Sequence, residues 1–112
     1  MQLTVEDLPN GVTKAVLVGR LDIDGAAAVD MRFNVLAGAK RALVVDLSQV
    51  DFIASMGLRT LMSCARSIAS KGGRMALAGP QDHVLKVLAT SGVQDVIPVR
   101  ASVDDAIAYV TS

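Results

Sequence analysis

One cysteine, Cys64, and one histidine, His83, are all that this chain offers as thiol or imidazole ligands. A single thiol closes no internal disulfide, and a free cysteine points to a reducing compartment. One Cys and one His do not make a metal cluster of ordinary spacing. Tryptophan is absent and aromatics make up 3% of the chain, so the core has to be aliphatic; at 52%, hydrophobic residues are enough for one domain of 112 residues. Neither sign of charge is in excess, with 11 Lys plus Arg against 11 Asp plus Glu. That balance argues against nucleic acid or a membrane surface as an electrostatic partner. No apolar run approaches the roughly 20 residues of a spanning helix. The segment from Met1 to Asp7 has neither the basic flank nor the apolar stretch of a signal peptide. Phosphate-cradling glycine loops and dinucleotide fingerprints are also missing, so no cofactor is expected. These absences describe a soluble, cytoplasmic protein with no direct membrane insertion.

What is present centres on the stretch from Ala42 to Lys71. Ala42 to Val45 is a short apolar run of the kind a buried strand gives, and a connector containing Asp46, Ser48 and Asp51 is expected after it. Leu58, Leu61, Met62, Ala65, Ile68 and Ala69 then recur with the 3.6-residue period of a helix, which Gly72-Gly73 stops. Ser55 stands where the N-cap of that helix belongs, its hydroxyl placed to accept from the backbone N–H of Gly57 or Leu58. Gly57, a poor helix former, leaves the backbone bare in the first turn, where another surface could approach. Ser55 thus reads either as a structural cap or as a hydroxyl displayed at a helix tip for recognition.

The rest of the chain alternates strands and helices. Leu3 and Val5 mark a half-exposed edge strand, Pro9-Asn10-Gly11 a turn, and Thr13 to Val18 a second strand that pairs with the first as an antiparallel hairpin. Asp22 or Asp24 caps a helix starting near Gly25 and ending near Leu36. Met75 to Ala78 gives a further strand, Gln81 to Ser91 a helix, and Val96 to Val99 a short edge piece limited by Pro98. Ser102-Val103-Asp104-Asp105 has capping-box spacing ahead of a last helix. This order predicts an α/β domain over residues 1–112, with a mostly parallel sheet, an antiparallel edge hairpin, about four helices, and the main helices on one face.

Two enzymatic readings fail on the residues. A nucleophile elbow needs a glycine where Ile53 stands two residues before Ser55, and His83 is the only imidazole. A phosphoacceptor site built on Asp22, Asp24 and Asp46 would need a lysine at the end of a later strand, and none stands there; caps and turns account for these aspartates.

The pattern resembles the STAS domain, the family of anti-sigma factor antagonists and of the cytoplasmic tails of sulfate transporters. The residues carrying the resemblance are Gly19-Arg20-Leu21-Asp22, then Val45-Asp46-Leu47-Ser48 leading through Val50, Phe52 and Ile53 to Ser55-Met56-Gly57-Leu58, with Pro80, Val84, Leu88, Gly92 and Ala106. It covers essentially the whole chain as one STAS-like domain. It implies a non-enzymatic bacterial regulator of transcription. Such a protein binds an anti-sigma factor that is also a serine kinase, and is released when Ser55 is phosphorylated. The implied contact surface is Asp22, Asp24, Ser48, Ala54, Ser55, Met56, Gly57 and Leu58, with Met56 as an exposed apolar anchor. Ala54 replaces the family's usual Asp, Met56 its usual Ser or Thr, and Arg20 a Glu found in many members. The alternative role is an unphosphorylated subunit of a membrane-transport or sensory signalling complex.

Overall fold

The computed structural model describes residues 1–112. Leu3 points inward and its neighbours outward, which gives strand β1, Gln2–Asp7. It pairs antiparallel with β2, Thr13–Leu21, in a register that sets Gln2 opposite Val18 and Asp7 opposite Thr13. The buried Thr13 hydroxyl donates to Asp7 Oδ1 at 2.9 Å, and Lys40 Nζ reaches the same oxygen at 3.2 Å. The Thr13 bond, and after it Lys40, hold the Asp7 carboxyl below the ordinary carboxylate range.

The third strand, β3, is the main correction to the sequence reading. It runs Ala42–Ile53, so Asp46, Ser48 and Asp51 lie within a strand and not in a connector. Its pairing with β2 slips twice, once between Val16 and Val18 and once between Gly19 and Arg20. Each slip inserts an extra β3 residue, and the buried positions Leu47, Val50 and Ile53 fall every third residue instead of every second. At the first irregularity the Asp46 carboxylate accepts from the Ser48 N–H at 2.9 Å.

Strands β4, Arg74–Ala78, and β5, Val99–Arg100, complete a sheet of order β1-β2-β3-β4-β5, parallel throughout except for the β1–β2 edge. Pairing of β3 with β4 ends at Asp46 opposite Ala78. Beyond that point β3 pairs with β2 only, and past Val18, where the pairing with β1 also ends, the two continue as a two-stranded ribbon.

Helices α1, Ile23–Ala39, α2, Ser55–Ser70, and α3, Asp82–Thr90, bury Val29, Phe33, Leu61, Ile68, Val84 and Leu88 in the larger core on one face of the sheet. Helix α4, Val103–Val110, covers the other face with a smaller cluster of Val12, Val44, Ala76, Ala78, Ala106 and Val110. Its cap is the expected one, Ser102 Oγ accepting from the Asp105 N–H at 3.1 Å. A short 3-10 turn, Val93–Asp95, leads from α3 toward β5. Helix α1 starts two residues earlier and ends three residues later than its sequence pattern suggests, because Gly38 continues the helix and Lys40 caps it. Helices α1 and α2 are tied by Lys71 Nζ to the Ala37 carbonyl at 3.2 Å and by the buried Cys64 thiol, which donates to the Phe33 carbonyl at 3.6 Å. Burial pushes that thiol up to about 11. No helix is long and apolar enough to cross a membrane.

Candidate protein-binding site

The β2–β3 ribbon ends where α1 and α2 begin, and the two helix starts sit side by side against Arg20 and Leu21. Ala54 N–H donates to the Leu21 carbonyl at 3.0 Å, which fixes the entry to α2. Both first turns contain a glycine that this approach requires. An added Cβ at Gly25 would collide with the Arg20 carbonyl, and one at Gly57 would meet the Leu21 side chain and carbonyl. Gly57 therefore serves internal packing. It is buried, as is Leu58, so these two support the surface from beneath and present no side chain to a partner.

Ser55 is not the N-cap. Ala54 holds that position with extended backbone and no side-chain bond, and Ser55 is the first helical residue. The shift follows from β3 running to Ile53: only Ala54 remains between strand and helix. The consequence is a serine whose hydroxyl is exposed and takes part in no hydrogen bond within the protein. The first turn of α2 carries no acidic residue either, so its leading N–H groups have no side-chain partner.

Around Ser55 the ribbon and α1 present a mixed surface. Asp22 caps α1, accepting from the Gly25 N–H at 2.8 Å, and lies 3.6 Å from Arg20 Nε. The Gly25 bond leads in holding the Asp22 carboxyl below its ordinary range, with Arg20 adding to it. Asp24 is exposed in the same first turn. The Arg20 guanidinium lies over the Phe52 ring, 4.3 Å from its centroid. Phe52 is 37% exposed, Met56 41% and Ile23 67%. For three apolar side chains at one end of the molecule these exposures are high, and they give the tip its apolar character. Met56 and Ile23 also wall an open groove of about 470 Å³ between α1 and α2, with Asp30, Arg59 and Thr60 along it. The Thr60 hydroxyl donates to the Met56 carbonyl at 3.2 Å within α2 and lies 3.4 Å from Asp30 Oδ1 across the groove, sharing one proton between the two acceptors.

Ser48 is exposed, but it stands at the foot of the ribbon, seven residues before Ser55. Its carbonyl accepts from Gln81 Nε2 at 3.1 Å, and His83 Nε2 donates to the Asp51 carbonyl at 2.6 Å. The imidazole thus staples α3 to the ribbon and is not paired with Ser55. No three His, Cys, Asp or Glu side chains come together as a metal ion would need. Sequence reasoning missed Ile23 and Phe52 as surface features, whereas the helical period already puts Arg59 on the outer face of α2. The available signal for Ile23 was an apolar residue directly after a capping Asp22, off the buried stripe of its helix.

Known proteins share this architecture. BtrV of Bordetella bronchiseptica, which carries the name of an anti-sigma factor antagonist, is 31% identical over 92 residues, 82% of this chain and 73% of BtrV. A crystal structure of an anti-sigma factor antagonist from Mycobacterium paratuberculosis superposes with a TM-score of 0.88 at 27% identity, covering 99% of this chain and 94% of that one. The Bacillus cell fate determinant SpoIIAA, solved in its phosphorylated form, matches in fold with a TM-score of 0.73 at 21% identity, over 97% of this chain and 99% of its own. The family model described as the STAS domain matches residues 8–106, and the chain belongs to that family.

Proposed function

We propose that this protein is an anti-sigma factor antagonist that acts by binding, not by catalysis. Residues 1–112 form its working domain, and its partner is an anti-sigma factor that is also a serine kinase. The observation that carries the reading is Ser55: an exposed hydroxyl with no internal bond, at the first position of α2, beside exposed Met56, Phe52 and Ile23. A free hydroxyl on an apolar rim can be covered by a partner and can reach a kinase active site. BtrV and the mycobacterial structure carry the antagonist name, and SpoIIAA has been solved in a phosphorylated form, which support the role and the switch.

The unmodified surface would dock with Met56 as an apolar anchor and Asp22, Asp24, Ala54 and Ser55 around it. Phosphorylation would form a bond between Ser55 Oγ and the γ-phosphorus of ATP, break the bridge to the β-phosphate, release ADP, and pass the hydroxyl proton to a base on the kinase. The new group carries about −1.5 to −2 charges at pH 7 onto a surface that must lose water on binding, so the complex separates and the sigma factor is sequestered again.

The test is a pull-down from the native lysate with ATP, followed by mass spectrometric mapping of phosphate. Recovery of a kinase-fold anti-sigma factor with phosphate on Ser55 is the expected result. Recovery of transport subunits alone, with Ser55 unmodified, would overturn it.

A further inference from the structure

The phosphoryl group proposed for Ser55 needs a place to sit, and α2 carries a cation at the position that can receive it. Residues four apart on a helix are neighbours on one face, with about 5–6 Å between their Cβ atoms. Arg59 is four residues after Ser55, and both are exposed. Helical side chains lean toward the N-terminus, so Arg59, which lines the α1–α2 groove, is within reach of the turn that begins at Ser55.

Arg59 has no partner in the unmodified protein. The three ion pairs of the chain are Lys14–Glu6, Arg20–Asp22 and Lys40–Asp7, and Arg59 is in none of them. The carboxylate across the groove, Asp30, forms no ion pair with Arg59, and its one side-chain contact is with the Thr60 hydroxyl at 3.4 Å. Arg20, the other guanidinium at this end, is already held by Phe52 and Asp22. The only cation along the α1–α2 groove is therefore unpaired, exposed, and one turn from the serine.

We infer that Arg59 is the internal partner of phosphorylated Ser55, pairing with the phosphoryl oxygens along the face of α2. This deepens the proposed function and rests on its reading of Ser55 as the modified residue. The pairing has two effects on the surface. It fixes the phosphoryl group against the helix, and it draws the guanidinium away from the groove walled by Ile23 and Met56. A partner that met an open groove edged by a positive charge would then meet a neutralised pair.

The test installs phosphoserine at position 55 of the full chain during translation and follows the phosphate by phosphorus NMR from pH 4 to 8. An adjacent cation favours the doubly charged phosphate, so its second ionisation should fall below that of the same protein with Arg59→Gln. The expected difference is about 0.15–0.4 pH unit, the scale of one helical ion pair, and it should shrink in high salt. Arg59→Lys should retain part of it and Arg20→Gln should leave it intact. Identical midpoints with and without Arg59→Gln would overturn the inference, as would a shift abolished only by Arg20→Gln. Because the phosphate is placed by translation, this outcome is independent of the kinase. Failure of the pairing is thereby distinguished from failure of the phosphorylation reading, which the mapping of native phosphate decides.

Discussion

Gly57 and Leu21 lie so close that no side chain fits between them: an added Cβ on Gly57 would stand 2.5 Å from Leu21 Cγ and 2.7 Å from the Leu21 carbonyl oxygen. That approach couples the end of β2 to the start of α2 and sets where Ser55 emerges. Gly57→Ala would gain up to about 1 kcal/mol in helix propensity, but forcing a methyl into this space costs about 1–3 kcal/mol. The overpacking term is the larger. Denaturant unfolding should show Gly57→Ala less stable than wild type, with an unchanged slope; equal or greater stability would mean the helix start can shift freely.

The neighbouring Ala54 offers the opposite change. It occupies the N-cap of α2 with extended backbone and makes no side-chain bond. Ala54→Asp supplies an oxygen for the unpaired N–H groups of the first turn and a charge that suits the helix dipole. Stability should rise by about 0.5–2 kcal/mol, measured by the same unfolding curves. An unchanged midpoint would show that water satisfies that turn as well as a carboxylate does.

Much of this architecture was legible in the sequence, and the failures around Ser55 share one cause. The hairpin, the parallel order and the capping of α4 follow from alternation, turn residues and Ser102. Residues 46–53 read as a connector because Asp46, Ser48 and Asp51 sit among apolar residues that recur every third position. Two register slips against β2 produce that spacing, and strict alternation does not anticipate them. The same error moved the helix cap. With β3 ended early, Ser55 looked like the residue before the helix, whereas the longer strand leaves that place to Ala54. Gly57 was legible as unusual, but its reason is the Leu21 backbone, which lies on a strand thirty-six residues earlier in the chain. Met56 showed its exposure in the sequence; Ile23 and Phe52 did not, because only the packing of α1 beside the ribbon leaves them uncovered.

Acid should weaken the fold through Asp7 and Asp22. Both carboxyls sit below their ordinary range in the folded protein, Asp7 chiefly through the Thr13 hydroxyl and Asp22 chiefly through the Gly25 N–H. A depressed folded value means that the unfolded chain binds the proton more readily. Their contribution is therefore present above about pH 4 and is lost as the pH falls through the folded values. Melting temperatures should drop below pH 4, and the drop should be shallower when Asp7→Asn and Asp22→Asn are combined. Parallel pH profiles for wild type and the double variant would count against this assignment.

Cys64 should be chemically silent until the domain opens. It is 2% exposed, wedged between α1 and α2, and burial raises its thiol to about 11. At pH 8 little thiolate forms and no reagent reaches it. Modification by an aromatic disulfide should proceed at the rate or population of unfolding and accelerate in denaturant. Because the folded value is raised, stability should also decline as the pH rises from about 9 toward 11. Rapid labelling under native conditions would show that α1 and α2 part readily.

Charge at Ser55 should separate binding from folding. The hydroxyl has no internal bond and caps nothing, so Ser55→Ala should change stability by no more than about 0.5 kcal/mol. Ser55→Asp places a negative charge at a helix N-terminus, where the dipole favours it by about 0.3–1 kcal/mol. For a domain of this size that shifts the melting temperature upward by a few degrees at most. The partner surface answers differently. Closing an interface over an unmatched charge costs about 2–5 kcal/mol, and each 1.4 kcal/mol is tenfold in affinity, so the interface term exceeds the helix term. Titration calorimetry with the kinase-fold partner recovered from lysate should give tight binding for wild type and Ser55→Ala. For Ser55→Asp it should give affinity weaker by at least about tenfold, with all three melting within a few degrees of one another. Ser55→Ala should also resist release when ATP is added. Equal affinities for wild type and Ser55→Asp would remove Ser55 from the interface and leave it as a solvated residue at a helix start.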